Sequence, residues 1–210
     1  MAVAEFRLCW RNAKIGPKYG ETKVNIALRR PRMSIEEFLA WENCQEKRWE
    51  FDGFEPRAMV GGSSRHNRIV GALEFALRQR LADRCIVYRE TMRLRLEHTA
   101  RYPDLMVVCT PVADDAQEVA DPVVVIEVLS PTTARTDRIE KNREYEAAPS
   151  IRRYILLEQD TIAAEVYVRE DRRWVRSTVT GEGILVMPEI SVELPLAEAY
   201  AGLELGTEPN

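Results

Sequence analysis

Long apolar runs are missing from this 210-residue sequence. The longest, Pro122 to Ile126, is cut by Glu127. A membrane helix needs roughly 18 such residues, so no membrane partner is expected. Met1 to Trp10 holds no apolar core segment and no small-residue cleavage motif, so no secretory signal is expected. Histidine is nearly absent, with two in the chain, which excludes a His-rich zinc site. The four cysteines (Cys9, Cys44, Cys85 and Cys109) are scattered and form no Cys-x-x-Cys pair. Sparse, unpatterned cysteine without a signal segment reads as reduced and cytoplasmic. There is no internal repeat and no low-complexity tract. What remains, 45% apolar and 30% charged, is a globular composition long enough to bury a sizeable core.

A strong charge of one sign is missing only on average. Residues 1–32 hold eight basic and two acidic residues, a net +6, and the other 178 hold 22 basic and 32 acidic, a net −10. The formal −4 therefore hides a basic arm on an acidic body. An acidic body does not coat nucleic acid by bulk charge, but it permits a local site. The arm shows no sustained period and is punctuated by Gly16-Pro17, Gly20 and Pro31. Met33 directly precedes a clean helix start: Ser34 as N-cap, Glu37 as its capping-box partner, then Phe38, Leu39 and Trp41. The expected organisation is a loosely ordered arm over 1–32 and one domain over 33–210.

Trp49 to Phe51, Asp52-Gly53, and Phe54 to Val60 read as a hairpin with a tight Asp-Gly turn. Gly61 to Ser64 leads into a helix of about 19 residues, whose apolar stripe is Ile69, Ala72, Leu73, Ala76, Leu77 and Leu81. Short strands are expected at 85–89 and 92–96. Leu105–Cys109 and Val123–Leu129 are apolar on both faces, as in central covered strands. A largely polar helix is expected over 135–147, a strand over 153–157, and a hairpin from 162–168 and 174–179. A short strand and a short helix close the chain over 190–200. This order gives a mixed α/β (α+β) domain with one central sheet.

Three residues stand out against that frame. Glu127 sits inside Val-Val-Val-Ile-Glu-Val-Leu, so its carboxylate is expected to be buried. A buried carboxylate needs a basic side chain, a metal or a hydrogen-bond cage. Asp104 follows Pro103 at the start of another apolar strand, 23 residues earlier. Alone it could be a turn residue. On neighbouring strands, however, the two carboxylates converge and require a cation, and such oxygen ligands suit Mg²⁺ or Mn²⁺. Lys141 is one of two lysines in the body, where basic positions are otherwise filled by arginine. Lysine can be tuned for acid–base work, whereas arginine cannot. The plain alternative is an Asp137–Lys141 pair on a helix surface, worth about 0.2–0.5 kcal/mol.

Tyr102-Pro103-Asp104, Glu127-Val128-Leu129-Ser130-Pro131, and Asp137-Arg138 with Lys141 and Tyr145 resemble the Uma family of restriction-endonuclease-like proteins, in the PD-(D/E)XK nuclease-like superfamily. Trp49 to Gly53, Gly61-Gly62-Ser63 with His66, and Arg153 to Leu156 extend the resemblance over about 33–200. It implies a restriction-endonuclease-like core, a central mixed sheet flanked by helices. By motif, Asp104 and Glu127 are the metal-binding acids, and the Val128 carbonyl is a further ligand. Leu129 stands where the superfamily pattern has lysine, and the family's lysine on the following helix corresponds to Lys141. Glu50 matches the family's early glutamate, which the resemblance implies as a third catalytic acid beside the metal, with a solvated strand face as its alternative. His66, Arg65, Arg68 and Arg138 are candidate phosphate contacts. The resemblance thus implies an Mg²⁺-dependent endonuclease acting on DNA, with a homodimer as the plausible assembly. The alternative is a nuclease-like fold used as a DNA- or protein-binding module. Ser63 and Ser130 lack the glycine pattern of a nucleophile elbow.

Overall fold

In the computed structural model, residues 33–81 and 84–205 are described, and the predicted basic arm lies outside them. The described chain falls into two units, 33–59 and 60–205.

In the first unit, Ser34 caps helix α1 (Ile35–Glu42) as its sequence predicts. The Glu37 amide donates to Ser34 Oγ at 3.2 Å, and the Ser34 amide donates to Glu37 Oε2 at 2.7 Å. These two bonds satisfy donors that a helix start leaves orphaned. Phe38 stacks on Phe51 at 4.9 Å, and Trp41 meets Trp49 edge-on at 5.2 Å, tying α1 to the hairpin β1 (Trp49–Phe51) and β2 (Pro56–Ala58). The hairpin loop is wider than the predicted two-residue turn, because Phe51 pairs with Pro56. Asp52 Oδ1 accepts from the amides of both Phe54 and Glu55, and Gly53 takes a φ of 86° that favours glycine. The aspartate side chain therefore builds the loop, and the strands close around it.

The second unit holds a six-stranded mixed sheet in the order β11-β10-β9-β8-β6-β3. Its strands are β3 (Ile86–Arg89), β6 (Leu105–Val108), β8 (Val124–Val128), β9 (Arg153–Leu157), β10 (Ala163–Glu170) and β11 (Arg173–Thr180). All neighbours are antiparallel except β8 and β9. Short strands β4 (Arg93–Arg95), β5 (Ala100–Arg101) and β7 (Glu118–Val119) pair outside this sheet. A hairpin of β12 (Ile184–Met187) and β13 (Val192–Pro195) precedes a closing 3₁₀ turn (Leu196–Tyr200). β12 has no counterpart among the strands expected from the sequence.

Both faces of the sheet are covered, as the two-sided apolar strands require. Leu105, Val107, Val124, Ile126 and Val128 face helix α2 (Ser64–Leu81), whose stripe of Ile69, Leu73, Ala76, Leu77 and Leu81 packs on them. Met106, Val108, Val125, Tyr154 and Leu156 face the opposite way, onto Tyr145 and Leu129. The helix predicted over 135–147 is π-helical over Thr136–Lys141 and α-helical (α3) only over Asn142–Ala147. Nothing in the side-chain pattern announces a π segment, since this polar stretch has a single apolar residue, Ile139, and so no apolar period to read. No helix among the described residues is long and apolar enough to cross a membrane.

The expectation of reduced cysteine is corrected: no described cysteine is a free thiol. Cys85 and Cys109 form a disulfide, with Cα atoms 4.1 Å apart. The β3–β6 register pairs Ile86 with Val108, so the next residues outward are Cys85 and Cys109. Strand pairing brings together cysteines 24 residues apart, and inspection of sequence spacing could not show it.

Two ion pairs anchor the edges of this unit. Arg101, wholly buried, donates from Nε and Nη2 to the two Glu144 oxygens at 2.8 and 2.5 Å. Arg138 donates to Glu165 at 2.7 Å, and Tyr167 OH donates to the same carboxylate at 3.0 Å. Burial pushes the Glu165 carboxyl up, but those hydrogen bonds with the Arg138 and Arg176 charges outweigh it and hold it below its ordinary 4.5. Glu144→Ala, which leaves a buried guanidinium without this partner, is expected to lower unfolding stability by about 3–5 kcal/mol in a urea titration. Because Glu165 is depressed in the folded state, its contribution is present above pH 4.5 and is lost as pH falls through the folded value. Melting temperatures from pH 6 downward are expected to fall less steeply in Glu165→Gln than in the wild type. Equal slopes would contradict that assignment.

Candidate functional site

The antiparallel register of β6 and β8 pairs Leu105 with Ile126. One step further out, Asp104 lies opposite Glu127, and opposed residues on antiparallel strands share a face. Both acids therefore project to the side covered by the π-helical segment and α3. The Asp104 amide donates to Glu127 Oε2 at 3.4 Å, and the Val128 amide donates to Asp104 Oδ2 at 2.7 Å. The two acids are thus interlocked through the backbone of each other's strand. Glu127 is 4% exposed, as an all-apolar strand around it demands.

Lys141 reaches this point from the π-helical segment. Its Nζ donates to Glu127 Oε1 at 2.8 Å and lies 3.1 Å from Asp137 Oδ1. Both Lys141 and Asp137 are buried, so the pair is no surface i,i+4 contact. In the sequence, Asp137 reads as a helix-surface partner of Lys141 and as part of the family motif, with no role of its own in the site. The signal available was the Asp-x-x-x-Lys spacing beside a buried strand.

His66, in the first turn of α2, approaches Asp104 from the other side. Its Nε2 lies 3.1 Å from Asp104 Oδ2. That hydrogen bond raises the imidazole above its usual pKa, against the opposing effect of burial, with Asp104, Glu90 and Asp137 adding charge. Gly62 makes room for the ring: a Cβ there would lie 2.7 Å from His66 Nδ1. Ser63 Oγ accepts from the His66 amide at 3.0 Å and donates to Gln159 Oε1 at 2.9 Å. Gln159 Nε2 in turn donates to the Leu129 carbonyl at 2.6 Å. Gln159 went unnoticed in the sequence, because only the fold places it between the end of β8 and the start of α2.

The other predicted residues are placed as follows. Arg65 pairs with Asp160, and Arg68 donates to the Gly202 carbonyl; both line an open pocket with Ser64 and Leu203. Arg138 is committed to Glu158 and Glu165, on β10 and the loop before it. Glu50 belongs to the first unit, half-buried at the centre of β1 opposite Arg57.

Three carboxylates, Asp104, Glu127 and Asp137, thus meet one lysine and one histidine. No group of three His, Cys, Asp or Glu among the described residues is arranged to hold a metal by itself. The donors at the end of β8 are hard oxygens: two carboxylates and the Val128 backbone carbonyl. That chemistry fits Mg²⁺, which takes one or two carboxylates and keeps several waters. Asp104 Oδ1 accepts no hydrogen bond from the described residues, and its side chain is 17% exposed, so Asp104 is the reachable member of the pair, while Glu127 lies buried behind it.

The comparisons with known proteins give the family and the fold. The sequence profile of the Uma2 family, described as "Putative restriction endonuclease", matches residues 35–197. A Synechocystis sp. protein, "Uncharacterized protein slr1290", is 29% identical over 82% of this chain and 94% of its own. A second from the same organism, "Uncharacterized protein sll1609", is 29% identical over 71% of this chain and 89% of its own. A crystal structure described as a "putative nuclease belonging to DUF820", from Anabaena variabilis, superposes with a TM-score of 0.66. It covers 80% of this chain and 98% of that one at 16% identity, which shows a shared fold. With the profile spanning both acids, the lysine and the strands that carry them, the chain belongs to the Uma2 family.

Proposed function

We propose that the protein is a metal-dependent endonuclease that hydrolyses phosphodiester bonds in DNA. The observation that carries this reading is the meeting of Asp104, Glu127 and Lys141 at the adjoining ends of β6 and β8, in a nuclease-like fold. Asp104, Glu127 and the Val128 carbonyl would hold Mg²⁺ or Mn²⁺. Such an ion supplies Lewis-acid polarisation of a phosphate and a bound water of lowered pKa.

The chain's own groups have separate tasks. The Val128 amide and His66 fix the Asp104 carboxylate from two directions. Lys141 brings an ammonium beside the acids, where it offsets the negative charge that grows on phosphate in the transition state. As an ammonium it would also orient the attacking water by donating a hydrogen bond to it. Leu129, at the position where the superfamily pattern has lysine, cannot do either. DNA contact is local: Arg65 and Arg68 flank the start of α2, while the body as a whole is acidic. Binding is therefore weak and salt-sensitive unless a second subunit adds contacts. A homodimer would set one such site against each strand and give paired cuts.

The test uses the full chain with Asp104→Ala, Glu127→Gln and Lys141→Ala, assayed on plasmid with Mg²⁺, Mn²⁺ or EDTA. The wild type is expected to cut with either metal and not with EDTA. Each substitution is expected to slow cutting by about 10²–10³-fold, the scale of losing one electrostatic stabiliser. Equal cutting by all four proteins would point to contamination and sink the assignment. DNA binding without cutting in any metal would instead make the fold a binding module.

A further inference from the structure

Asp137 has no place in the metal-holding set, yet it is 1% exposed. Its Oδ1 lies 3.1 Å from Lys141 Nζ, as a charge pair outside good hydrogen-bond alignment. The aligned bond from Nζ goes to Glu127 Oε1 at 2.8 Å. One ammonium is thus held between two buried carboxylates. An ion pair kept for stability alone needs one acid, and burying a second adds a large desolvation cost.

The backbone around Asp137 is fixed on several sides. Its amide donates to the Thr133 carbonyl at 2.9 Å, and its carbonyl accepts from Tyr154 OH at 3.1 Å. Arg138, the next residue, points to Glu158 and Glu165. The segment is π-helical, a rare conformation that is frequent at functional sites. Inward aspartate and outward arginine therefore set the segment's rotation, and with it the direction of Lys141.

We infer that Asp137 is a positioning residue: it holds the Lys141 ammonium against Glu127 without itself touching substrate or metal. This rests on the nuclease reading for what Lys141 does, while the placement of the amine is a separate, measurable fact.

The test exploits the scarcity of lysine. Residues 33–210 contain only Lys47, which is exposed, and Lys141, which is buried. The full chain and its Asp137→Asn, Asp137→Ala and Asp137→Glu variants are acetylated with an N-hydroxysuccinimide ester, and both sites are followed by peptide mass spectrometry. Circular dichroism selects the variants that keep the fold; the near-isosteric asparagine covers the case in which alanine does not fold. Lys141 is expected to react far more slowly than Lys47 in the wild type. Its rate should rise about tenfold in Asp137→Asn, within the range of coupling in one salt-bridge network, and return toward wild type in Asp137→Glu. A folded Asp137→Asn whose Lys141 stays as protected as in the wild type overturns the inference. In the Mn²⁺ cleavage assay, kcat should fall about tenfold with KM unchanged. A lowered melting temperature with unchanged kcat also overturns it. If the wild type does not cut, the nuclease reading fails, and the labelling result alone decides the role of Asp137.

Discussion

The burial of Glu127 is the constraint on which the rest of the site depends. A carboxylate in the middle of an apolar strand, covered on both faces, cannot keep its charge without a partner of opposite sign close by. The partner is Lys141, and supplying it dictates much of the surrounding structure. A segment must cross this face of the sheet at the right height, with its lysine turned inward. The π-helical stretch does that, and Asp137, Tyr154 and Arg138 hold the stretch in place. Removing Lys141 would take that cation from two buried carboxylates, Glu127 and Asp137, which costs more than the pair gives.

Asp104 is governed by different physics. It lies at a strand end, is partly exposed, and is held by hydrogen bonds rather than by a salt bridge with lysine. Val128 and His66 converge on the same oxygen, Oδ2, which fixes the rotamer. The two acids are therefore unequal: one is locked in the core by a cation, the other presented at the rim by donors. Gly62 and Ser63 matter because they let the start of α2 come close enough for His66 to reach.

Much of this is legible in the sequence. The two-sided apolar strands, the long amphipathic helix and the capping box at Ser34 follow from local patterns, and each stands within a residue or two of its expected place. Asp104, Glu127 and Lys141 were legible because charged residues in apolar or arginine-only surroundings are anomalous. What stayed hidden depends on pairing between distant segments. The Cys85–Cys109 disulfide arises from strand register. Gln159 joins Leu129 to Ser63 only after β9 and β10 are laid beside β8. The π-helical segment is hidden for another reason: its side-chain pattern is that of an ordinary polar helix, and the backbone deviates because tertiary contacts pull Asp137 in and Arg138 out. The hairpin loop at Asp52 was misjudged because the Asp-Gly pair is also suited to a longer turn capped by its own side chain.

The sheet contains one parallel neighbour pair, β8 and β9. Antiparallel strands can be joined by a tight turn, but parallel ones oblige the chain to travel back over a face of the sheet before the next strand begins. Here that return path is the stretch between Val128 and Arg153, and it starts at the end of β8 beside Glu127. Any side chain on its early part passes over the acids as a matter of topology. A lysine on the return path can therefore reach a carboxylate at the end of β8 from above, as Lys141 reaches Glu127. Leu129, the residue that follows β8, is left as an apolar core residue packed with Tyr145 and Leu156. Strand direction thus lets the cation come from the crossover and not from the strand.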